Sequence, residues 1–173
     1  MTGWTGMAPG TAEPAPPLPR PAPGAGPAFH AADRATSLAL GPLPGAPGCA
    51  RAHVRAVLLG WDVPGAVIGD IELAVSEMVT NAVQATWRLN RTVPEPVTVR
   101  MADEGDDVLV EVADASTEKP DPFALEHAID GGRGLLIVAA LSAEWGSYPC
   151  GPAGKVVWAR MPARPELARH VPA

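Results

Sequence analysis

Glu77 and Asn81 stand four residues apart in the stretch Glu72-Leu-Ala-Val-Ser-Glu-Met-Val-Thr-Asn-Ala-Val-Gln84. On a helix that spacing stacks a carboxylate one turn from a carboxamide, on the same side. An amide oxygen so placed can hold a metal ion while the carboxylate polarises a hydroxyl. The same pair on a solvated face would do no chemistry, so the surroundings decide. Ile71, Val75, Met78, Ala82 and Val83 recur at three-and-four spacing and predict a core-facing stripe, with Glu77 and Asn81 along its edge.

Two further polar features fall at predicted element ends, where sites are normally built. Asp114 closes a strand in which Val108, Val110 and Val112 share one face. A strand-end aspartate can begin a turn with Ser116 or Thr117, or it can accept a hydrogen bond from an exocyclic amine such as that of adenine. Gly131-Gly-Arg-Gly134 leads into an apolar helical run. It reads either as a loop end or as an anion site, because glycines let backbone approach phosphate and helix N-termini favour negative charge.

The elements that must carry these residues follow from pattern and punctuation. Residues 34–40 read as a first strand, closed by the turn cluster Gly41-Pro-Leu-Pro-Gly45. A helix over 48–59 presents Ala50, Val54, Val57 and Leu58, with Gly60 as its stop. The second helix starts near Pro64 with Asp62 as cap, contains the Glu77/Asn81 stretch, and ends near Leu89 with Asn90 in a left-handed stop. Residues 97–102 and 108–114 alternate as strands around an acidic turn containing Gly105. Residues 115–131 are a long connection, with one turn of helix available over 123–129. A third helix over 135–142 and a closing hairpin of 144–148 with 155–161 complete the chain. The order β-α-α-β-β-α-β-β predicts an α/β two-layer sandwich, with helices on one face of a mixed, mostly antiparallel sheet.

With 173 residues, 47% of them hydrophobic, the chain suffices for one domain with a real core. Its 21 prolines and 18 glycines crowd outside the regular elements. Residues 1–31 are Pro, Ala and Gly without periodicity and read as a disordered tail, because they cannot bury enough apolar surface to offset their ordering entropy. Residues 32–162 form the expected domain and 163–173 a second tail. A net charge of -6 without a basic stripe argues against direct nucleic-acid binding. No apolar run approaches the roughly 20 residues of a membrane span, and no secretory signal is present, so a cytoplasmic protein is expected. Cys49 and Cys150 make neither a disulfide framework nor a metal motif.

Several patterns are set aside. Gly151-Pro-Ala-Gly-Lys155 is too short for a P-loop and has Val156 where Ser or Thr is required. None of the five serines lies in a Gly-x-Ser-x-Gly elbow, and the four histidines have no metal spacing. The five tryptophans read as core or edge packing rather than a stacking platform.

The ordered set is a helix with Glu-x-x-x-Asn, a strand ending in Asp, a loop, a Gly-rich helix start, and a last hairpin carrying Gly154-Lys155. In this order the sequence resembles the GHKL ATPase superfamily, which includes gyrase-type ATPases and sensor histidine kinases. Within it, the sequence is similar to the anti-sigma-factor serine kinases and their actinobacterial relatives. The likeness is carried by Glu72 to Val83, Val110-Glu-Val-Ala-Asp114, Gly132-Arg-Gly-Leu-Leu-Ile-Val138, Glu144-Trp-Gly146 and Gly154-Lys-Val-Val-Trp158. It spans residues 34–162.

The resemblance implies a Bergerat fold that binds ATP and Mg2+ under a flexible lid formed by residues 115–131. Asn81 would give its amide oxygen to Mg2+, Glu77 would be the general base, and Asp114 would receive the adenine amino group. Gly132 and Gly134 would face the phosphates, Arg133 would add charge near the transferring phosphoryl, and Lys155 would belong to the nucleotide-binding set. The implied activity is transfer of the γ-phosphate to a serine or threonine of a partner, a sigma factor or an anti-sigma-factor antagonist. Homodimers occur among such relatives, though no residue here specifies one.

Two departures stand out. The family's Asp-x-Gly-x-Gly box is here Asp114 followed by Ala-Ser-Thr-Glu, without the glycines that permit close approach and lid movement. The Asn81 turn is followed by Gln84-Ala-Thr-Trp87, where relatives often have a basic residue or histidine. The first departure keeps open a non-catalytic ATP-binding interaction module in transcriptional regulation. A simple ATP hydrolase is the third option.

Overall fold

The structure is a computed structural model and describes residues 34–120, 133–151 and 154–164. Its elements are β1 (Ala35–Leu40), α1 (Ala46–Gly60), α2 (Gly65–Arg88), β2 (Val97–Asp103), β3 (Asp107–Asp114), α3 (Gly134–Leu141), β4 (Glu144–Pro149) and β5 (Lys155–Pro162). The order is the expected one and the architecture is a two-layer α/β sandwich. The expected tails, the turn of helix over 123–129, and most of the 115–131 connection lie outside the described residues.

The five strands run β1-β2-β3-β5-β4 across the sheet, and every neighbouring pair is antiparallel. Two helices between β1 and β2 carry the chain down and back, so β2 returns beside β1 in the opposite direction. A single helix separates β3 from β4, which therefore run the same way; they are not neighbours, because β5 lies between them. The mixed directions expected from the sequence thus produce no parallel pairing.

The core forms between the sheet and the helices. From α2 it takes Ile71, Val75, Met78, Ala82 and Val83, and from α1 Ala50, Val54 and Leu58, with Val57 partly buried against them. The sheet contributes Val97, Val99 and Met101 from β2, Val108, Val110 and Val112 from β3, and Val157, Ala159 and Met161 from β5. These are alternate residues of each strand, as a pleated sheet with one face on the helices requires. Each large apolar side chain so buried contributes about 1.5–3 kcal/mol. The opposite face of β3 is buried as well. There Leu109 and Ala113 pack with Ala102, Tyr148, Val156 and Trp158. Glu111 stands fully buried among them, accepting a hydrogen bond from the Tyr148 hydroxyl at 2.7 Å and pairing with Arg100. Gly146 leaves room for the Trp158 indole, whose ring atoms would lie 3.1 Å from an added Cβ.

The helix ends differ in detail from expectation. Gly60 is the last residue of α1, and the left-handed position falls on Asp62 at φ 59°. Asp62 therefore does not cap α2, whose N-cap is Pro64 with no side-chain hydrogen bond. The turn is closed by backbone bonds from Trp61, Asp62 and Val63 to the last carbonyls of α1, and Asp62 belongs to that turn, ahead of the N-cap position at Pro64. Asn90 does adopt the left-handed stop, at φ 48°, and Gly105 turns the β2–β3 hairpin at φ 85°.

Candidate functional site

Helix α2 is held in register by two side chains of α1. Arg51 donates to the Ser76 hydroxyl at 2.6 Å, and Arg55 donates to Glu72 at 2.8 Å. The Arg55 side chain is largely exposed, so its pair adds little stability; its value is geometric. The signal in the sequence is the matched spacing: Arg51 and Arg55 on one helix stand four apart, as do Glu72 and Ser76 on the next. They fix the turn of α2 immediately before Glu77.

Glu77 and Asn81 both face the start of α3. A Cβ built on Gly134, the first residue of α3, would lie 2.6 Å from Oε2 of Glu77 and 3.4 Å from Nδ2 of Asn81. Glycine at this position therefore lets the helix N-terminus sit directly on the two polar side chains. Among the described residues no side chain caps that end of α3, where the first N–H groups lack intrahelical partners and the helix dipole is positive. Glu77 is half-buried and makes no hydrogen bond or ion pair among the described residues. Among the described residues the buried Nδ2 of Asn81 has no hydrogen-bond partner, and orphaned buried donors are rare in native structures. Arg133 is exposed and occupies the N-cap position of α3. Gly132 lies outside the described residues.

Asp114 and Lys155 are brought together by the β3–β5 register. Both point to the helix side of the sheet, since Val112 and Val157, two residues further along each strand, belong to the core there. Nζ of Lys155 donates to Oδ1 of Asp114 at 2.9 Å, with side-chain exposures of 10% and 1%. The same Oδ1 accepts the Ser116 N–H at 2.7 Å, so the turn that is one of the two readings of this aspartate is present. The second oxygen of Asp114 makes no hydrogen bond among the described residues. Burial pushes the Asp114 carboxyl above its ordinary range, and the Lys155 and Ser116 hydrogen bonds pull it back. Gly154 permits the close approach of the strands: an added Cβ would lie 2.8 Å from the Asp114 carbonyl oxygen and 3.0 Å from that of Cys150.

The sequence-predicted residues thus fall into two groups on the helix side of one sheet, Glu77/Asn81/Gly134 and Asp114/Lys155. Residues 44–161 match the family model of the histidine kinase-like ATPase domain. The chain belongs to that family. A crystal structure of the RsbU and RsbW domains of Rv1364c from Mycobacterium tuberculosis has the same fold, with a TM-score of 0.57 and 24% identity. The match covers 76% of this chain and 33% of that one, so this chain spans only about a third of the length of the solved chain it matches. No curated protein matches the sequence.

A histidine kinase-like ATPase domain implies ATP, and the polar groups present fit such a ligand. Among the described residues, one end offers an unpaired carboxylate, an orphaned carboxamide and an uncapped helix N-terminus; the other offers a carboxylate oxygen without a donor. The described residues hold no cluster of three or more His, Cys, Asp or Glu side chains. Mg2+ does not need one, because it is commonly held by one or two protein oxygens together with phosphate and water. No helix among the described residues is long and apolar enough to cross a membrane.

Proposed function

We propose that this domain is an ATP- and Mg2+-dependent protein kinase of the anti-sigma-factor type, transferring the γ-phosphate to a serine or threonine of a partner protein. The observation that supports it is the convergence of Glu77 and Asn81 on the glycine that opens α3. Bound ATP supplies the transferable phosphoryl group and Mg2+ neutralises its charge. Asn81 gives its amide oxygen to the metal. The N–H groups at the start of α3, with Gly132 and Gly134, face the phosphates, and Arg133 adds positive charge there. Asp114 receives the adenine amino group beside Lys155. Glu77 takes the proton from the partner's hydroxyl as that oxygen bonds to the γ-phosphorus and the bond to the ADP oxygen breaks. The partner is a sigma factor or an anti-sigma-factor antagonist, in a cytoplasmic setting, and the kinase works alone or as a homodimer.

Incubation with MgATP and candidate antagonist proteins, followed by mass spectrometry of the partner, tests this reading. Glu77→Ala should abolish transfer while retaining nucleotide binding; undiminished transfer would remove Glu77 as the base. Asn81→Ala should erase the Mg2+ dependence of ATP affinity.

A second reading is favoured by one observation. The chain after Asp114 lacks the family's glycines, and Ser116 and Lys155 already engage one oxygen of its carboxylate. A domain fixed in this way could bind ATP and present a shape to its partner without transferring phosphate. Saturable ATP binding with no phosphate on any candidate partner would select it.

A further inference from the structure

Lys155 is a buried cation to which phosphoryl transfer assigns no task. Its side chain is 10% exposed, on the helix side of the sheet. Buried lysines persist when paired, and this one is paired through one donor only: of the three protons on an ammonium, one is directed at Oδ1 of Asp114. The remaining two have no acceptor among the described residues. Asp114 is in the complementary condition, with Oδ1 shared by two donors and its other oxygen without any among the described residues. The pair therefore presents an acceptor and a donor side by side, held in place by the β3–β5 register and by the close approach at Gly154.

We propose that Lys155 reads the nucleobase directly, donating from its ammonium to ring nitrogen N1 of adenine while Asp114 accepts from the neighbouring exocyclic amine. This rests on the ATP reading above. The pairing edge of adenine carries an amine donor next to a ring-nitrogen acceptor, which is the complement of the Asp114–Lys155 pair. Guanine carries the reverse order at the same positions and would meet carboxylate with carbonyl and ammonium with N–H. The ion pair thus selects for adenine through two direct bonds. Lys155 is a binding residue that sets base specificity and has no part in proton transfer.

The test compares ATP with 1-deaza-ATP, which has carbon in place of N1, by calorimetry on wild type and Lys155→Met. Wild type should bind ATP at least about tenfold more tightly than 1-deaza-ATP, the effect of one hydrogen bond from a charged donor. In Lys155→Met the two affinities should become equal. A preference for ATP that survives in Lys155→Met means another donor, such as water, serves N1 and overturns the proposal. So does equal affinity in wild type. If the variant does not fold, wild type crystallised with a non-hydrolysable ATP analogue decides instead. Nζ within about 3.2 Å of N1 supports the proposal and an intervening water overturns it. Absence of any ATP binding by wild type would refute the ATP reading itself, an outcome distinct from binding without N1 discrimination.

Discussion

Gly134→Ala separates the geometry of the proposed base from the stability of the fold. The added methyl would lie 2.6 Å from Oε2 of Glu77, and real Cβ atoms essentially never come closer than 3.0 Å to such a neighbour. The carboxylate must therefore retreat by at least 0.4 Å, the difference between those distances. Backbone strain is absent, because Gly134 lacks the positive φ seen at Gly105 and Gly151. Glu77 is half-buried and Oε2 is the far end of its side chain, so a rotation away from the methyl costs about 0.5–1.5 kcal/mol. Replacing a glycine in a compatible conformation returns about 0.4–1 kcal/mol through the unfolded chain. Net stability should change by less than about 1 kcal/mol. Catalysis has no such compensation: a misplacement of about 1 Å costs roughly 100-fold, so 0.4 Å or more should slow phosphate transfer by about tenfold. The assay is single-turnover transfer to the partner, with urea unfolding of the same preparation and Gly69→Ala as control. Gly69 is exposed, with nothing within 4 Å of an added Cβ. Transfer at the wild-type rate by folded Gly134→Ala would show that Glu77 does not work from the position seen against α3.

The remaining predictions concern groups around the site and the sheet. Gly154→Ala places a methyl 2.8 Å from a backbone oxygen that cannot rotate away, so urea titration should show a loss of about 1–3 kcal/mol. Thr86 is 2% exposed and its hydroxyl has no partner among the described residues; Thr86→Val should be neutral or stabilising by about 1 kcal/mol, read as a higher urea midpoint. Tyr148→Phe strips Glu111 of its 2.7 Å hydrogen bond and should destabilise by about 1–3 kcal/mol. Burial, only partly offset by Tyr148 and Arg100, raises the folded-state pKa of Glu111 above its ordinary 4.5. A raised carboxyl favours folding below pH 4.5, and that contribution is lost as pH rises through the folded value. Wild type should therefore lose stability relative to Glu111→Gln as pH is raised from 4.5, and a constant difference across that range would contradict the assignment.

The parts of this site that were legible in the sequence are those written in local periodicity. Glu77 and Asn81 lie four apart beside an apolar stripe, and Asp114 ends an alternating strand; α2 and β3 duly place them at the edge of one core. Contacts between elements distant in the chain were not legible. Nothing near Gly134 specifies Glu77 as its neighbour, because that contact depends on how α3 lies on α2. The Asp114–Lys155 pair required β5 to enter between β3 and β4, and a closing hairpin read from sequence could equally have added with β4 inside. Alternation also misleads for Glu111, whose position opposite the valines suggests solvent, whereas Tyr148 and Trp158 from the last hairpin enclose that face. The two glycines carry the non-local information. At each, a side chain would collide with an atom of another element, Glu77 Oε2 in one case and the Asp114 backbone carbonyl oxygen in the other. A glycine opening a helix or preceding a strand, without a positive φ to require it, thus marks where another part of the chain must come close. In this domain both marks fall on the proposed nucleotide site, one at its phosphate end and one at its base end.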